Sequence, residues 1–215
     1  MSFEESEIVN IVIAGTAGQG VITLKRLIEF AAQKAGVENI YGSEMHGLAQ
    51  REGAIISHTR YQKKSSEDER KNLHSPLICY GDADLYICFE PVEALRRGIF
   101  ASSKTSFVLN SRTIPPILIT ADMEEYPSIN KIKEVLNHYT NEVYFLNATD
   151  LSLNEFGENQ KMNLIMLGFA IKTGKLPFIE VEHYEEVIKE HLRDVDMNIK
   201  AFHIGFEKGK ELIPS

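Results

Sequence analysis

Between Ile8 and Ala14 the chain is almost unbroken Ile, Val and Ala, the pattern of a strand buried on both faces of a parallel sheet. The run leads straight into Gly15-Thr16-Ala17-Gly18-Gln19-Gly20, and beyond it the period changes. Val21, Leu24, Leu27, Ile28, Ala31, Ala32 and Ala35 then share one helical face, with Gly36 as a left-handed stop. The opening therefore predicts a strand, a glycine turn and a helix in succession.

A short strand is predicted near Glu38 to Gly42, followed by a polar, glycine-containing segment from Ser43 to Gly53. Alternation resumes over Ala54 to Tyr61, with Ile55 and Ser57 on one face and Ile56 and His58 on the other. Gln62 to Asn72, charged and serine-containing, predicts a solvated, mobile excursion. Apolar runs at Leu85 to Phe89, Thr105 to Leu109 and Glu142 to Leu146 predict further strands. Pro91 opens a helix through Leu95, and Ile129 to Tyr139 is amphipathic. Met162 to Ile171 is apolar almost all round, as a helix between other elements must be, and Gly174 ends it. Tyr184, Val187, Ile188 and Leu192 mark one amphipathic helix, and Ile199, Phe202, Phe206 and Leu212 a last one. Short strands alternating with helices predict a single α/β domain over residues 1–215, with a doubly wound, mainly parallel, Rossmann-like sheet and C-terminal helices.

Composition adds bounds. The 215 residues are 43% hydrophobic, enough for one full core. A formal charge of -8 and a pI near 5.4 argue against nucleic-acid binding, which needs a clustered positive face. No apolar run approaches a membrane span, and Met1 to Glu7 is acidic rather than a basic leader, so a soluble, cytoplasmic protein is expected. The two cysteines, Cys79 and Cys88, lie in apolar stretches and are expected as buried core thiols. An iron–sulfur cluster takes about four thiolates, so this chain is not expected to carry one.

Two features bear on chemistry. The glycine turn can aim backbone N–H groups and a helix dipole at a phosphate, which makes Gly15, Gly18, Gln19 and Gly20 candidate cofactor contacts; a tight turn that only packs helix on strand is the other reading. As a dinucleotide fingerprint it is imperfect, with Ala17 at the middle position, although Glu44 follows at the spacing of a ribose-binding acid. The second feature is Gly42 to Gly53 followed by His58, where Ser43, Glu44, His46, Gln50, Arg51 and His58 could line a partner or an active site. Its blander reading is a polar connector. His46 and His58 lack a third ligand at a recognised spacing, so no metal is assigned, and no nucleophile elbow or Walker loop marks a self-contained hydrolase or kinase.

Gly18-Gln19-Gly20 after a first strand, then Gly42-Ser43-Glu44-Met45-His46-Gly47-Leu48-Ala49-Gln50-Arg51 and Ser57-His58, resembles the gamma subunits of 2-oxoacid:ferredoxin oxidoreductases. The likeness continues through Glu90 to Arg96, Asn110 with Ile114-Pro115-Pro116, Asn163 to Gly168 and Asn198 to Gly205, and so covers nearly the whole chain. Within that family it is most similar to the small, beta subunit of the indolepyruvate enzymes. Ala17 and Glu52 depart from the family's smaller residues. The resemblance implies a complex that oxidatively decarboxylates a 2-oxoacid of indolepyruvate or pyruvate type on thiamine diphosphate, passes electrons through iron–sulfur clusters to ferredoxin, and delivers the acyl group to coenzyme A. It implies that this chain holds no catalytic residue and no cofactor of its own, and is inactive alone. Its partner would be a thiamine diphosphate-binding large subunit, with or without a ferredoxin-like domain or subunit. A stand-alone nicotinamide nucleotide-binding protein and a purely structural scaffold are the alternatives.

Overall fold

A computed structural model describes residues 3–46, 53–113 and 126–214. The first strand, β1 (Ile8–Thr16), is followed by the glycine turn and helix α1 (Val21–Lys34). Strand β2 (Asn39–His46) and strand β3 (Ala54–Gln62) come next. Then follow β4 (Leu85–Cys88), α2 (Pro91–Arg96), β5 (Ser106–Asn110), α3 (Ile129–Leu136) and β6 (Val143–Leu146). The remaining helices are α4 (Ala148–Phe156), α5 (Met162–Ile171), α6 (Val181–His191) and α7 (Val195–Leu212).

The strands form one six-stranded sheet in the order β2-β3-β1-β4-β5-β6. From β1 through β4 and β5 to β6 every pairing is parallel, as each crossover helix requires. On the other side β3 lies antiparallel between β1 and β2, so the sheet is mixed rather than uniformly parallel. The chain winds outward from β1 in both directions.

Alternation along β1 divides the core. Val9, Ile11 and Ile13 face α1, α5, α6 and α7, while Val12 and Ala14 face α2 and α3. Helix α1 buries Val21, Leu24, Leu27, Ile28, Ala31 and Ala32 as its spacing predicted, and Gly36, at φ 70, turns the chain out of it. Each fully buried Leu or Ile here contributes on the order of 1.5–3 kcal/mol. Helix α5 is buried nearly all round because the sheet lies on one side and α7 on the other. Three glycines let α5 and α7 touch: a Cβ at Gly168 would run into the Phe202 carbonyl, one at Gly205 into the Ile165 carbonyl, and one at Gly209 would crowd Lys172.

Three expectations need correction. Ser43 to His46 are not a loop; they extend β2, because each finds a partner on β3, from Ser43 opposite His58 to His46 opposite Ile55. Cys79 is exposed, since the preceding Ile78 takes the inward position in a segment without strand alternation; Cys88 is buried as expected. Gln62 to Asn72 is largely exposed but tied down at its ends. The buried Gln62 amide donates to the Ser6 and Lys71 carbonyls and accepts from Leu73 N. Among the described residues no helix is long and apolar enough to cross a membrane.

Candidate functional site

The glycine turn sits at the carboxyl edge of the sheet, where β1 parts company with its two neighbours. Ala17 N donates to the Gly53 carbonyl at 3.1 Å, so the turn lies beside the start of β3, and the end of β2 at His46 reaches the same edge. Open parallel sheets place ligand crevices at such a switch point. Gly18 and Gly20 adopt φ 89 and φ 85, a left-handed backbone that favours glycine. Gly15 is glycine for a different reason: a Cβ there would come within 2.7 Å of Gln19 Oε1. Gln19 is the turn's internal brace. Its Oε1 accepts from Thr16 N at 2.7 Å and its Nε2 donates to the Phe89 carbonyl at 3.3 Å. Asn110 also donates to the Phe89 carbonyl, at 3.2 Å, and to Thr149 Oγ1 at 2.9 Å, joining the ends of β4 and β5 to the first turn of α4.

A cleft of about 410 Å³ opens on this turn. Gly18, Gln19 and Gly20 form one wall, and Arg112, Thr149 and Asn163 complete it. Ala17 is exposed and does not line the cleft, so its methyl does not obstruct the approach. Thr149, Arg112 and helix α4 as a whole were missed by sequence reasoning. The available signal was Asn147, which caps α4 by accepting from Asp150 N at 3.1 Å, with that acidic residue in the first turn.

Among the described residues, the second candidate set is divided between the two faces of the sheet. Gln50 and Arg51 lie outside the described residues. Glu44 faces α1 and takes Lys25 Nζ at 3.2 Å; Lys25 also meets Glu29 at 3.4 Å. Burial raises the Glu29 pKa despite that cation. Gly42 leaves room for the group, because a Cβ there would overlap Lys25 and Glu29. With its charge engaged, and with β3 between β2 and β1, Glu44 is not placed as a ribose-binding acid beside the glycine turn.

Ser43 and His58 pair across β2 and β3, on the sheet face opposite to Glu44. His58 is 1% exposed, accepts from Ile78 N at Nδ1 (3.2 Å) and stands edge-on to Phe100, ring centroids 4.8 Å apart. Burial, with Arg60 nearby, lowers its pKa to about 4, so the ring is neutral at pH 7. His58 thus lies under the sheet surface rather than on it. His46 closes β2, directly opposite Ile55.

The cysteine chemistry does not suit an iron–sulfur cluster. Burial pushes the Cys88 thiol well above its ordinary range, and it donates to the Glu90 carbonyl at 2.9 Å, while Cys79 stands on the surface. A cluster needs accessible thiolates in a common site.

A mixed six-stranded α/β sheet with helices on both faces defines the architecture, and solved structures share that fold. The keto/oxoacid ferredoxin oxidoreductase gamma subunit from Geobacter sulfurreducens matches 94% of this chain and 99% of its own at TM-score 0.64 and 20% identity. The 2-oxoglutarate:ferredoxin oxidoreductase from Magnetococcus marinus, solved with 2-oxoglutarate, coenzyme A and succinyl-CoA, matches 97% of this chain at TM-score 0.68 and 19% identity, and this chain spans 32% of its length. In sequence, the indolepyruvate oxidoreductase subunit IorB of Archaeoglobus fulgidus is 35% identical over 208 residues, covering 96% of this chain and 98% of that one. The IorB subunit of Pyrococcus horikoshii is 32% identical over 206 residues, covering 95% and 97%. A sequence profile described as pyruvate ferredoxin/flavodoxin oxidoreductase matches residues 10–208, and the chain belongs to that family.

Proposed function

We propose that this chain is the subunit without cofactors of its own in a thiamine diphosphate- and coenzyme A-dependent 2-oxoacid:ferredoxin oxidoreductase, acting on an oxoacid of indolepyruvate or pyruvate type. The observation that carries the reading is end-to-end identity of 35% with a protein named as an indolepyruvate oxidoreductase subunit. In such a complex the oxoacid loses carbon dioxide, its electrons pass to ferredoxin and its acyl group to coenzyme A. Thiamine diphosphate and the iron–sulfur clusters belong on the partner, a large subunit with or without a ferredoxin-like domain or subunit. The character of Cys79 and Cys88 supports that division.

Within the complex this chain docks and closes. The ends of β2 and β3, at His46 and Ala54, lie at the carboxyl edge near the glycine turn, and the residues that join them, Gln50 and Arg51 included, meet the thiamine-bearing subunit. Ser43, Glu44 and His58 hold their frame from within the two strands. Gly18, Gln19 and Gly20 line the cleft at that edge as the cofactor contact, and the buried Gly15 leaves room for the Gln19 side chain that braces them. Residues joined to two paired strands can shape a site without performing the chemistry.

Reconstitution tests the reading. The purified chain, mixed with its large subunit under anaerobic conditions, should give 2-oxoacid-dependent, coenzyme A-dependent ferredoxin reduction, and neither part alone should do so. Turnover by this chain alone, or turnover of the large subunit that this chain leaves unchanged, would overturn it.

A further inference from the structure

We propose that Lys25 is a positioning residue: with Glu29 and Glu44 it sets the register of strand β2, and so fixes where that strand delivers its last residue, His46, and the residues after it to the partner subunit. The register is a property of this chain alone. Its consequence for assembly rests on the role in a complex proposed above.

The three groups form a charged island in an otherwise apolar contact. Helix α1 packs on the sheet through Val21, Leu24, Leu27, Ile28, Ala31 and Ala32, yet Lys25, only 9% exposed, stands among them. Its Nζ reaches Glu29, one turn along the same helix, at 3.4 Å and Glu44 on β2 at 3.2 Å. Thr59 on β3 donates its hydroxyl to Glu29 at 3.3 Å. A cation between two carboxylates is costly to bury, and apolar side chains of similar volume often hold a helix to its neighbours as well or better. Such a cluster is weak as an anchor; its best-attested use is to select one alignment among several.

Strand β2 needs that selection. It lies at the end of the sheet and pairs with β3 alone. Toward α1 it presents Ile40, Gly42 and Glu44, of which Ile40 alone packs against the apolar core. On its other face Tyr41 and Met45 flank Ser43 and are exposed. A strand without one clearly apolar face does not have its register fixed by hydrophobic pattern.

Charge and shape fix it instead. In the observed register Gly42 lies opposite Thr59 and Glu44 opposite Ser57. A Cβ at position 42 would overlap Lys25 Cε and Glu29 Oε1, so a side chain there would push the pair apart. Sliding β2 by one residue would turn Glu44 to the other face, away from Lys25. Sliding it by two would keep its faces but bring Ile40 or Glu44 opposite Thr59, beneath the pair, and take the second carboxylate from Lys25. Of these alignments only the observed one gives Lys25 both its room and its two partners. The effect reaches the carboxyl edge directly, because β2 ends two residues beyond Glu44, and each residue of slip would carry that end about 3.4 Å.

The test compares the full wild-type chain with Lys25→Arg, with Lys25→Gln, and with a triple variant, Lys25→Met, Glu29→Leu and Glu44→Met, in which every charge of the cluster gives way to an apolar group. Cross-strand nuclear Overhauser contacts from positions 42 and 44 to Thr59 and Ser57 read the register, thermal unfolding reads stability, and anaerobic titration with the large subunit reads assembly. The triple variant should unfold at or above the wild-type Tm yet show split or missing contacts at both positions, and its Kd for the large subunit should rise at least about tenfold. A purely structural role would lower Tm and leave one register. Lys25→Arg keeps the charge and should keep the native contacts. Lys25→Gln removes the charge alone, so it should split the contacts even if the triple variant does not fold. A single native set of contacts in Lys25→Gln and in any folded triple variant, or loss of register in Lys25→Arg as well, would overturn the proposal. Lost register with wild-type assembly would overturn its consequence for docking. A wild-type chain that shows the native register but restores no turnover to the large subunit removes the proposed role in the complex and leaves the register role of Lys25 standing.

Discussion

Gln19 is anchored to Phe89 across the switch point of the sheet: its Nε2 donates to the Phe89 carbonyl at 3.3 Å while its Oε1 accepts from Thr16 N at 2.7 Å. One side chain thus ties the turn after β1 to the end of β4, and the shape of the cleft follows from that tie. Gln19→Ala would leave the Thr16 N–H without its partner and release one side of the turn. A loss of about 1 to 3 kcal/mol in urea unfolding is expected, because an orphaned, partly buried donor costs that much. An unchanged unfolding midpoint would show the brace to be idle.

The buried His58 makes stability depend on pH. Its folded pKa of about 4 lies below the ordinary 6.5, so the unfolded chain takes up a proton that the folded chain refuses. Stability from this group is present above pH 6.5 and is lost as pH falls toward 4; below that both states are protonated. The loss should amount to about 3 to 4 kcal/mol, since each tenfold change in proton affinity is worth about 1.4 kcal/mol. Glu29, Asp84 and Glu93 have pKa values raised by burial, and their contributions run in the opposite sense, favouring the fold at low pH. The comparison that isolates the histidine is wild type against His58→Asn, by denaturant unfolding between pH 4 and 7. The variant should be less stable at pH 7 and show a flatter slope; parallel curves would contradict this account.

At the α5 and α7 crossing, backbone meets backbone. Gly205→Ala puts a methyl onto the Ile165 carbonyl, which cannot yield without separating the helices. Destabilisation of about 3 kcal/mol is expected, at the upper end for overpacking. Gly157→Ala is the control: it carries a φ of 73 but nothing lies within 4 Å of its Cβ, so it should report backbone strain alone, about 1 kcal/mol. Equal losses in the two variants would show that helix contact is not the cause.

In the assembled complex, Arg51→Ala should lower turnover or weaken association by about 1.5 to 3 kcal/mol, the worth of a charge-assisted hydrogen bond. The isolated fold should keep its unfolding midpoint. Arg51 and His46 variants with unchanged assembly, turnover and coenzyme A KM would reduce the segment to a connector between β2 and β3.

Much of the molecule was legible in the order of its residues. The unbroken Ile and Val run of β1, the three-and-four spacing along α1 and the all-round apolarity of α5 report burial directly, because local period decides which faces can leave water. The glycine turn was legible for a similar reason, since Gly18 and Gly20 occupy a backbone region that favours glycine. The long family resemblance placed the chain among the gamma-type subunits, and the comparisons bear that out.

What period does not carry is who faces whom. Ser43 to His46 looked like loop because three of the four side chains are polar, yet backbone pairing with β3 made them strand, and alternation then sent Glu44 to Lys25 and His58 to Phe100 on opposite faces. Cys79 looked buried because its neighbours are apolar, yet it fell on the outward step beside Ile78. Arg112, Thr149 and Asn163 share no local pattern with Gly20. Only the sheet order, set by long-range pairing and by helices packing on both faces, brings the starts of α1, α4 and α5 to one edge, and a ligand crevice belongs to that convergence rather than to any single segment.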